Sequence, residues 1–152
     1  MSYRARVSQV WQDKETVAYR APQLYDNTVG GGVYILFNII GPVFISLLGG
    51  RMTAAAGGAS TIRLAVNGVN TDAAAVAINA AIGQIFISRL NVAGTLVNVA
   101  AGPCTDALLH SKGILSGNSV GTIQATFATA TWTGDIFCVY RKLAPYSSIN
   151  VA

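Results

Sequence analysis

The longest apolar run of the chain, residues 33–48, is interrupted at its middle by Gly41-Pro42. That break constrains the fold. A membrane-spanning helix needs about 20 unbroken apolar residues. A proline inside a helix removes a hydrogen bond and clashes with the preceding turn. The run therefore reads as two strands around a turn, with Val33–Ile40 apolar on both faces and suited to a fully buried position. Other runs are similar. Thr61–Val66 alternates, with Ile62, Leu64 and Val66 on one face and Arg63 on the other, and ends at Asn67-Gly68, a strong hairpin signal. Gln84–Leu90 and Thr95–Val99 read as strands. Thr122–Trp132 alternates with period two, Thr133-Gly134-Asp135 reads as a turn, and Ile136–Leu143 returns, so the last two strands are expected to form a C-terminal hairpin.

The remaining segments are small or polar. Ala54–Ser60 reads as a loop. Ala73–Ile82 reads equally as a short helix capped by Thr71 or Asp72 or as a strand of small side chains. Thr105–His110 has room for one helical turn, and Ser111–Ser119 reads as a loop. About eight short strands with Gly-rich turns and at most one helix predict a single-domain, all-β fold, a β-sandwich or jelly-roll-like body. No repeat of 20 to 50 residues is present.

Charge divides the chain. Residues 1–26 carry Arg4, Arg6, Asp13, Lys14, Glu15, Arg20 and Asp26, seven of its sixteen ionic groups. The expected division is an extended N-terminal arm over residues 1–29, a body over 30–145 and a short tail over 146–152. Gly30-Gly31-Gly32 would be the hinge, and Trp11, Tyr19, Leu24 and Tyr25 would give the arm apolar groups to dock. The N-terminus is polar and lacks the apolar core of a secretory leader.

Function classes narrow by what is missing. Net charge is +4 and the isoelectric point about 9.3, but Arg51, Arg63, Arg89 and Arg141 stand singly, so no nucleic-acid-binding stripe forms. The single histidine, His110, shares a short stretch with Cys104 and Asp106. Asp106 and His110 would share a helical face, but Cys104 beside Pro103 is badly placed as a local nucleophile. No CxxC or HxxxH pattern offers a zinc site, and no glycine cluster leads into a phosphate-binding Lys-Ser/Thr. Neither an enzyme nor a cofactor is expected. Cys104 and Cys138 allow one bridge, but two small buried thiols is the commoner outcome for such residues. Among the aromatics Trp11, Trp132, Tyr140 and Tyr146, Trp132 at a hairpin tip is the best candidate to line a sugar-binding surface.

Composition then suggests assembly. Charged residues are 11% of the chain and hydrophobic residues 52%, against about 25% charged in an average soluble domain. Large permanent interfaces are depleted in charge and resemble a core cut in half. Apolar surface beyond the needs of one small core is expected to be buried between chains.

The run Phe37-Asn38-Ile39-Ile40-Gly41-Pro42-Val43-Phe44-Ile45-Ser46-Leu47-Leu48-Gly49, followed by Arg51-Met52-Thr53-Ala54-Ala55, resembles a phrase of small bacteriophage structural proteins. Gly121-Thr122-Ile123, a Thr/Ala-rich strand, a turn and Val139-Tyr140-Arg141-Lys142-Leu143 resemble their closing hairpin. The likeness covers roughly residues 33–67 and 119–145 and carries no catalytic residue. It implies a head decoration, or cement, protein of the virion, assembled in the bacterial cytoplasm. Such a protein would form a homo-oligomer, three copies being favoured, and would grip the major capsid protein without contacting nucleic acid or membrane. Val33–Leu48 would be its core pair and residues 3–26 its clamp. Expected contact residues are Arg4, Arg6, Trp11, Tyr19, Tyr25, Trp132 and Tyr146. The alternative is a tail- or fibre-associated module that binds a host glycan.

Overall fold

In the computed structural model of the chain, the residues described are 14–54, 60–71, 75–77, 82–83, 85–88, 104–105, 113–117, 120–128 and 130–152. They form strands β1 (Glu15–Tyr25), β2 (Val33–Ile40), β3 (Val43–Ala54), β4 (Thr61–Val66), β5 (Val69–Asn70), β6 (Val76–Ala77), β7 (Ile85–Ile87), β8 (Cys104–Thr105), β9 (Ile114–Ser116), β10 (Val120–Ala128), β11 (Trp132–Lys142) and β12 (Ser148–Val151). These make two six-stranded sheets, ordered β1-β11-β3-β9-β8 with β7 also on β3, and β12-β2-β10-β4-β5 with β6 also on β4. The first is called sheet A below and the second sheet B. Every pairing is antiparallel.

The topology is that of a rolled hairpin. β1 pairs β11, β2 pairs β10, β3 pairs β9 and β4 pairs β5, so the partners nest inward along the chain. Two seams, β11 with β3 and β10 with β4, join the nested pairs into the two sheets. This is the arrangement of a jelly roll, and eight of the twelve strands account for it. The sandwich expected from the sequence is therefore present, but several joints differ from the expected ones.

Gly41-Pro42 does not make a hairpin. β2 belongs to sheet B and β3 to sheet A, so this turn carries the chain across the sandwich. Gly41 sits at φ 69°, and an added Cβ would meet the Tyr146 ring and the Ser147 hydroxyl. The C-terminal pair is divided in the same way. β10 lies in sheet B and β11 in sheet A, and Thr133-Gly134-Asp135 lies inside β11 instead of turning. Local alternation reports which face a side chain takes but not which sheet its strand joins. Asn67-Gly68 does turn as expected. Asn67 (φ 51°) and Gly68 (φ 79°) both adopt positive φ, as in a type I′ turn, and Val66 pairs Val69.

The arm and tail boundaries also change. Residues 15–25, expected within the arm, are β1, in register with β11 from Glu15↔Arg141 to Tyr25↔Trp132. The body thus begins well before the triple glycine, and only residues 1–13 of the arm lie outside the described residues. β1 is an edge strand, where a proline is tolerated and discourages stray pairing. Its Ala21-Pro22 forms a bulge between Arg20↔Ile136 and Gln23↔Gly134. The tail is β12, paired to β2 from Ser148↔Ile40 to Val151↔Phe37. Ser111–Ser119, expected as a loop, contains β9. Of the Ala-rich stretch, Val76–Ala77 is a strand on β4. Thr95–Val99 and most of Thr105–His110 lie outside the described residues.

β2 is not buried on both faces. Val33, Ile35 and Ile40 are exposed, while Leu36, Phe37 and Ile39 are fully buried. Adjacent Leu36 and Phe37 both point inward because a bulge skips Leu36 in the β10 ladder, where Ile123 pairs Phe37 and Gln124 pairs Ile35. The core between the sheets gathers these residues with Val43, Ile45, Leu48, Met52, Ile62, Leu64, Val66, Ile123, Phe127, Ile136 and Cys138. An aromatic stack closes one end of it. Tyr25 stacks on Phe127 at 4.5 Å, Phe127 on Trp132 at 5.4 Å, and Phe86 meets Trp132 edge-on at 5.5 Å.

Arg20 joins the sheets at the β1 and β12 edges. Its guanidinium donates to the Leu36 carbonyl at 2.9 Å, the Ala152 backbone oxygen at 3.1 Å and Gln23 Oε1 at 3.3 Å. Asn67 joins them elsewhere. Its Oδ1 accepts from the Thr122 amide at 3.0 Å, and its Nδ2 donates to Ser116 Oγ at 2.9 Å.

Candidate interaction face

The outer face of sheet A is built by the alternation of β11. Trp132, Ile136, Cys138 and Tyr140 point into the core and are buried. Asp135, Phe137, Val139 and Arg141 therefore point out. Registers place their neighbours in rows across the sheet. Val17, Val139 and Leu47 form one row. Tyr19, Phe137, Gly49 and Ile87 form the next. Beyond it lie Asp135, Arg51 and Ile85, and at the opposite end Glu15, Arg141, Phe44 and Leu115. The two central rows contain no charge.

The exposed members are large. Val17 is 61% exposed, Ile85 57%, Ile87 53% and Tyr19 49%, while Leu47, Phe137 and Val139 are half-buried. Gly49 keeps the face flat, because the Phe137 ring lies across it and a side chain there would also meet the Phe86 carbonyl. Each end of the face is electrically closed. At one end Arg51 Nη2 donates to the buried Asp135 Oδ2 at 2.7 Å, the Arg51 amide donates to Oδ1 at 3.1 Å, and the Tyr19 hydroxyl donates to Oδ2 at 3.2 Å. Desolvation and the neighbouring Asp135 carboxylate push the Tyr19 phenol above its ordinary range. At the other end Arg141 lies 3.6 Å from Glu15.

Sheet B presents a different outer surface. One row is Ser148, Ile40 and Val120, and the next is Asn150, Asn38 and Thr122. A third is Ile35, Gln124 and Ala65. Apolar and uncharged polar side chains alternate here, so no continuous greasy stripe forms.

The expected contact residues separate on this frame. Tyr19 lies on the face of sheet A. Tyr25 and Trp132 do not contact anything outside the fold, since both are 0% exposed in the aromatic core. Trp132 opens β11 beside the sandwich end instead of capping a hairpin, which is why it turns inward. Tyr146 is 69% exposed beside Gly41. Arg4, Arg6 and Trp11 lie outside the described residues, as do Asp106 and His110. Cys104 is in β8, paired with Leu115. Cys138 is a free, buried thiol whose ionisation burial pushes far upward, so it is no nucleophile at neutral pH.

Val17, Leu47, Phe137 and Val139 were not singled out by the sequence reading. Their signal was present in Ile136–Tyr140, an apolar run without alternation. In an antiparallel sandwich such a run means that the solvent-side face is apolar too. Among the described residues no group of three His, Cys, Asp or Glu is placed to hold a metal ion, and no helix is long and apolar enough to cross a membrane. Comparison with known protein families finds no match, and a search of curated proteins likewise finds none.

Proposed function

We propose that this chain is a structural protein of a bacteriophage virion, of the capsid decoration or cement type, which binds copies of itself and the major capsid lattice. The observation that carries the reading is the outer face of sheet A, where two full rows of side chains are apolar and uncharged. Continuous exposed apolar patches mark interaction sites on soluble proteins. The role is mechanical: apolar rows bury between subunits. The resemblance to small phage proteins implies three copies or two at a lattice position, three being favoured. The glycan-binding alternative loses its leading residue, because Trp132 is core.

The test uses particles that lack the chain. Purified full-length protein is mixed with them, the particles are sedimented, and occupancy and particle thermal stability are measured. Saturable co-sedimentation with a raised disassembly temperature supports the reading. Protein that stays in the supernatant while particles pellet refutes it. The clamp is tested by deleting residues 1–13 and no more, since deletion through residue 26 would remove β1. Unchanged occupancy would remove the clamp from the account.

A further inference from the structure

We infer that the outer face of sheet A is a two-fold interface with a second copy of this chain, packed sheet to sheet with β11 antiparallel to β11 of the other copy. The inference rests on the assembly reading above, but replaces three-fold packing by a two-fold contact. It follows from the order of side chains on the face.

Let a two-fold axis lie in the interface, across the strands, between the Val139 row and the Phe137 row. Each strand then faces its own copy with its rows reversed. Val139 meets Phe137 of the second copy, and Val17 meets Tyr19. Leu47 lies over Gly49, where the Phe137 ring forms a flat apolar floor. At the rim Phe44 comes opposite Arg51, a cation–aromatic pair. Leu115 meets Ile85. An isologous contact requires such self-complementarity.

The size is that of a small specific contact. Four strands at about 4.8 Å spacing span about 19 Å, and the seven residues Asp135–Arg141 span about 24 Å. That is roughly 450 Å² of flat footprint per copy, near the lower bound of about 1,000 Å² total for a specific contact once side-chain relief is added. Two antiparallel sheets packing face to face in near alignment is also an ordinary geometry. Sheet B, with polar side chains in every row, is left free for a different partner.

Sedimentation velocity of the full-length chain at micromolar concentration gives the test. The expected species has twice the 15.8 kDa chain mass, or an even multiple of it. Val139→Lys and Val17→Lys should each weaken the two-fold contact by about tenfold or more, while Ile35→Lys on sheet B leaves it intact. Circular dichroism checks the fold of each variant. Ile85→Lys is an exposed change that tests the face even if both other lysine variants unfold, and it too should weaken association. A wild-type monomer overturns the inference. So does an oligomer indifferent to the sheet A changes but broken by Ile35→Lys; particle binding, and with it the virion reading, would then stand untouched. An intact two-fold species that ignores particles would sink the virion reading alone.

Discussion

Replacing Trp132 with alanine removes the largest fully buried side chain among the described residues. The indole stacks on Phe127 at 5.4 Å, tilts against Tyr25 at 5.4 Å and takes the Phe86 ring at 5.5 Å. These neighbours come from β1, β7 and β10, so the gap cannot close by moving one strand. Buried Trp→Ala changes cost about 3–5 kcal/mol through lost burial and the cavity left behind. Lost ring pairing of about 0.5–1.5 kcal/mol per pair overlaps with that figure instead of adding fully. For a chain of this length each kcal/mol lowers the melting temperature by about 2–4 °C, so the expected drop is about 6–20 °C. The assay is calorimetry at one fixed protein concentration, with near-ultraviolet circular dichroism to follow the stack, because association would shift the transition. Trp132→Phe keeps a ring in the stack and removes an indole N–H that has no hydrogen-bond partner in the structure. It should lose less than half as much. A Trp132→Ala protein within about 1 kcal/mol of wild type, with its aromatic dichroism intact, would show that Trp132 is not core. The ligand-binding role denied to it above would then reopen.

Four further substitutions probe the roll. Arg20→Ala removes the cation that ties β1 to the Leu36 carbonyl and the Ala152 backbone oxygen, and should cost about 1.5–3 kcal/mol in guanidinium unfolding; an unchanged midpoint would deny the tie. Gly30→Ala and Gly32→Ala both force alanine into positive φ, but only at Gly32 would the new Cβ strike the Phe127 carbonyl. Thermal melts should show about 1–2 kcal/mol for the first and clearly more for the second; equal losses would contradict the geometry. Tyr25 is fully buried, and burial raises its phenol above the usual range, against the pull of Arg20. A raised folded-state pKa means that its share of stability is complete below about pH 10 and is lost as pH rises beyond that. Tyr25→Phe should therefore flatten the alkaline loss of stability, measured by denaturation at pH 9 to 11; an identical slope would argue against a buried phenol.

How legible this was in the sequence depended on the range of each interaction. The Asn67-Gly68 turn was readable because type I′ geometry is decided by two adjacent residues. The strands β4 and β10 were readable from period-two patterning, and β2 from its unbroken apolar run. Partner choice was not. Val33–Leu48 and Thr122–Leu143 each look like a hairpin locally, yet each crosses the sandwich, because the rolled pairing β1·β11, β2·β10, β3·β9 is settled by contacts up to 126 residues apart, as in Glu15↔Arg141. β1 was misjudged for a related reason. Its charges and Pro22 are the marks of an edge strand, and from the sequence alone these match an arm. Of the site, Tyr19 was found by its aromatic character. Val17, Leu47, Phe137 and Val139 were missed because an outward apolar residue looks like a core residue until the sheet is known.

The two outer surfaces make sense of the scarcity of charge. A sandwich with both faces in water needs polar side chains on the outward half of every strand. β10 meets that need with Thr122, Gln124 and Thr126, and needs no ions to do so. β11 does not meet it: its outward positions between Asp135 and Arg141 are Phe137 and Val139 alone. Four ions of the outer face of sheet A, Asp135 with Arg51 and Arg141 with Glu15, sit at the two ends of that gap, already paired within the chain at 2.7 and 3.6 Å. Paired rim charges lose little when a second surface approaches, since each carries its counter-ion with it and leaves no carboxylate stranded. A face meant to stay wet would gain nothing from this arrangement. A face that closes against another sheet gains from both features, because its centre has no ion to desolvate and its rim charges keep the counter-ions they already have.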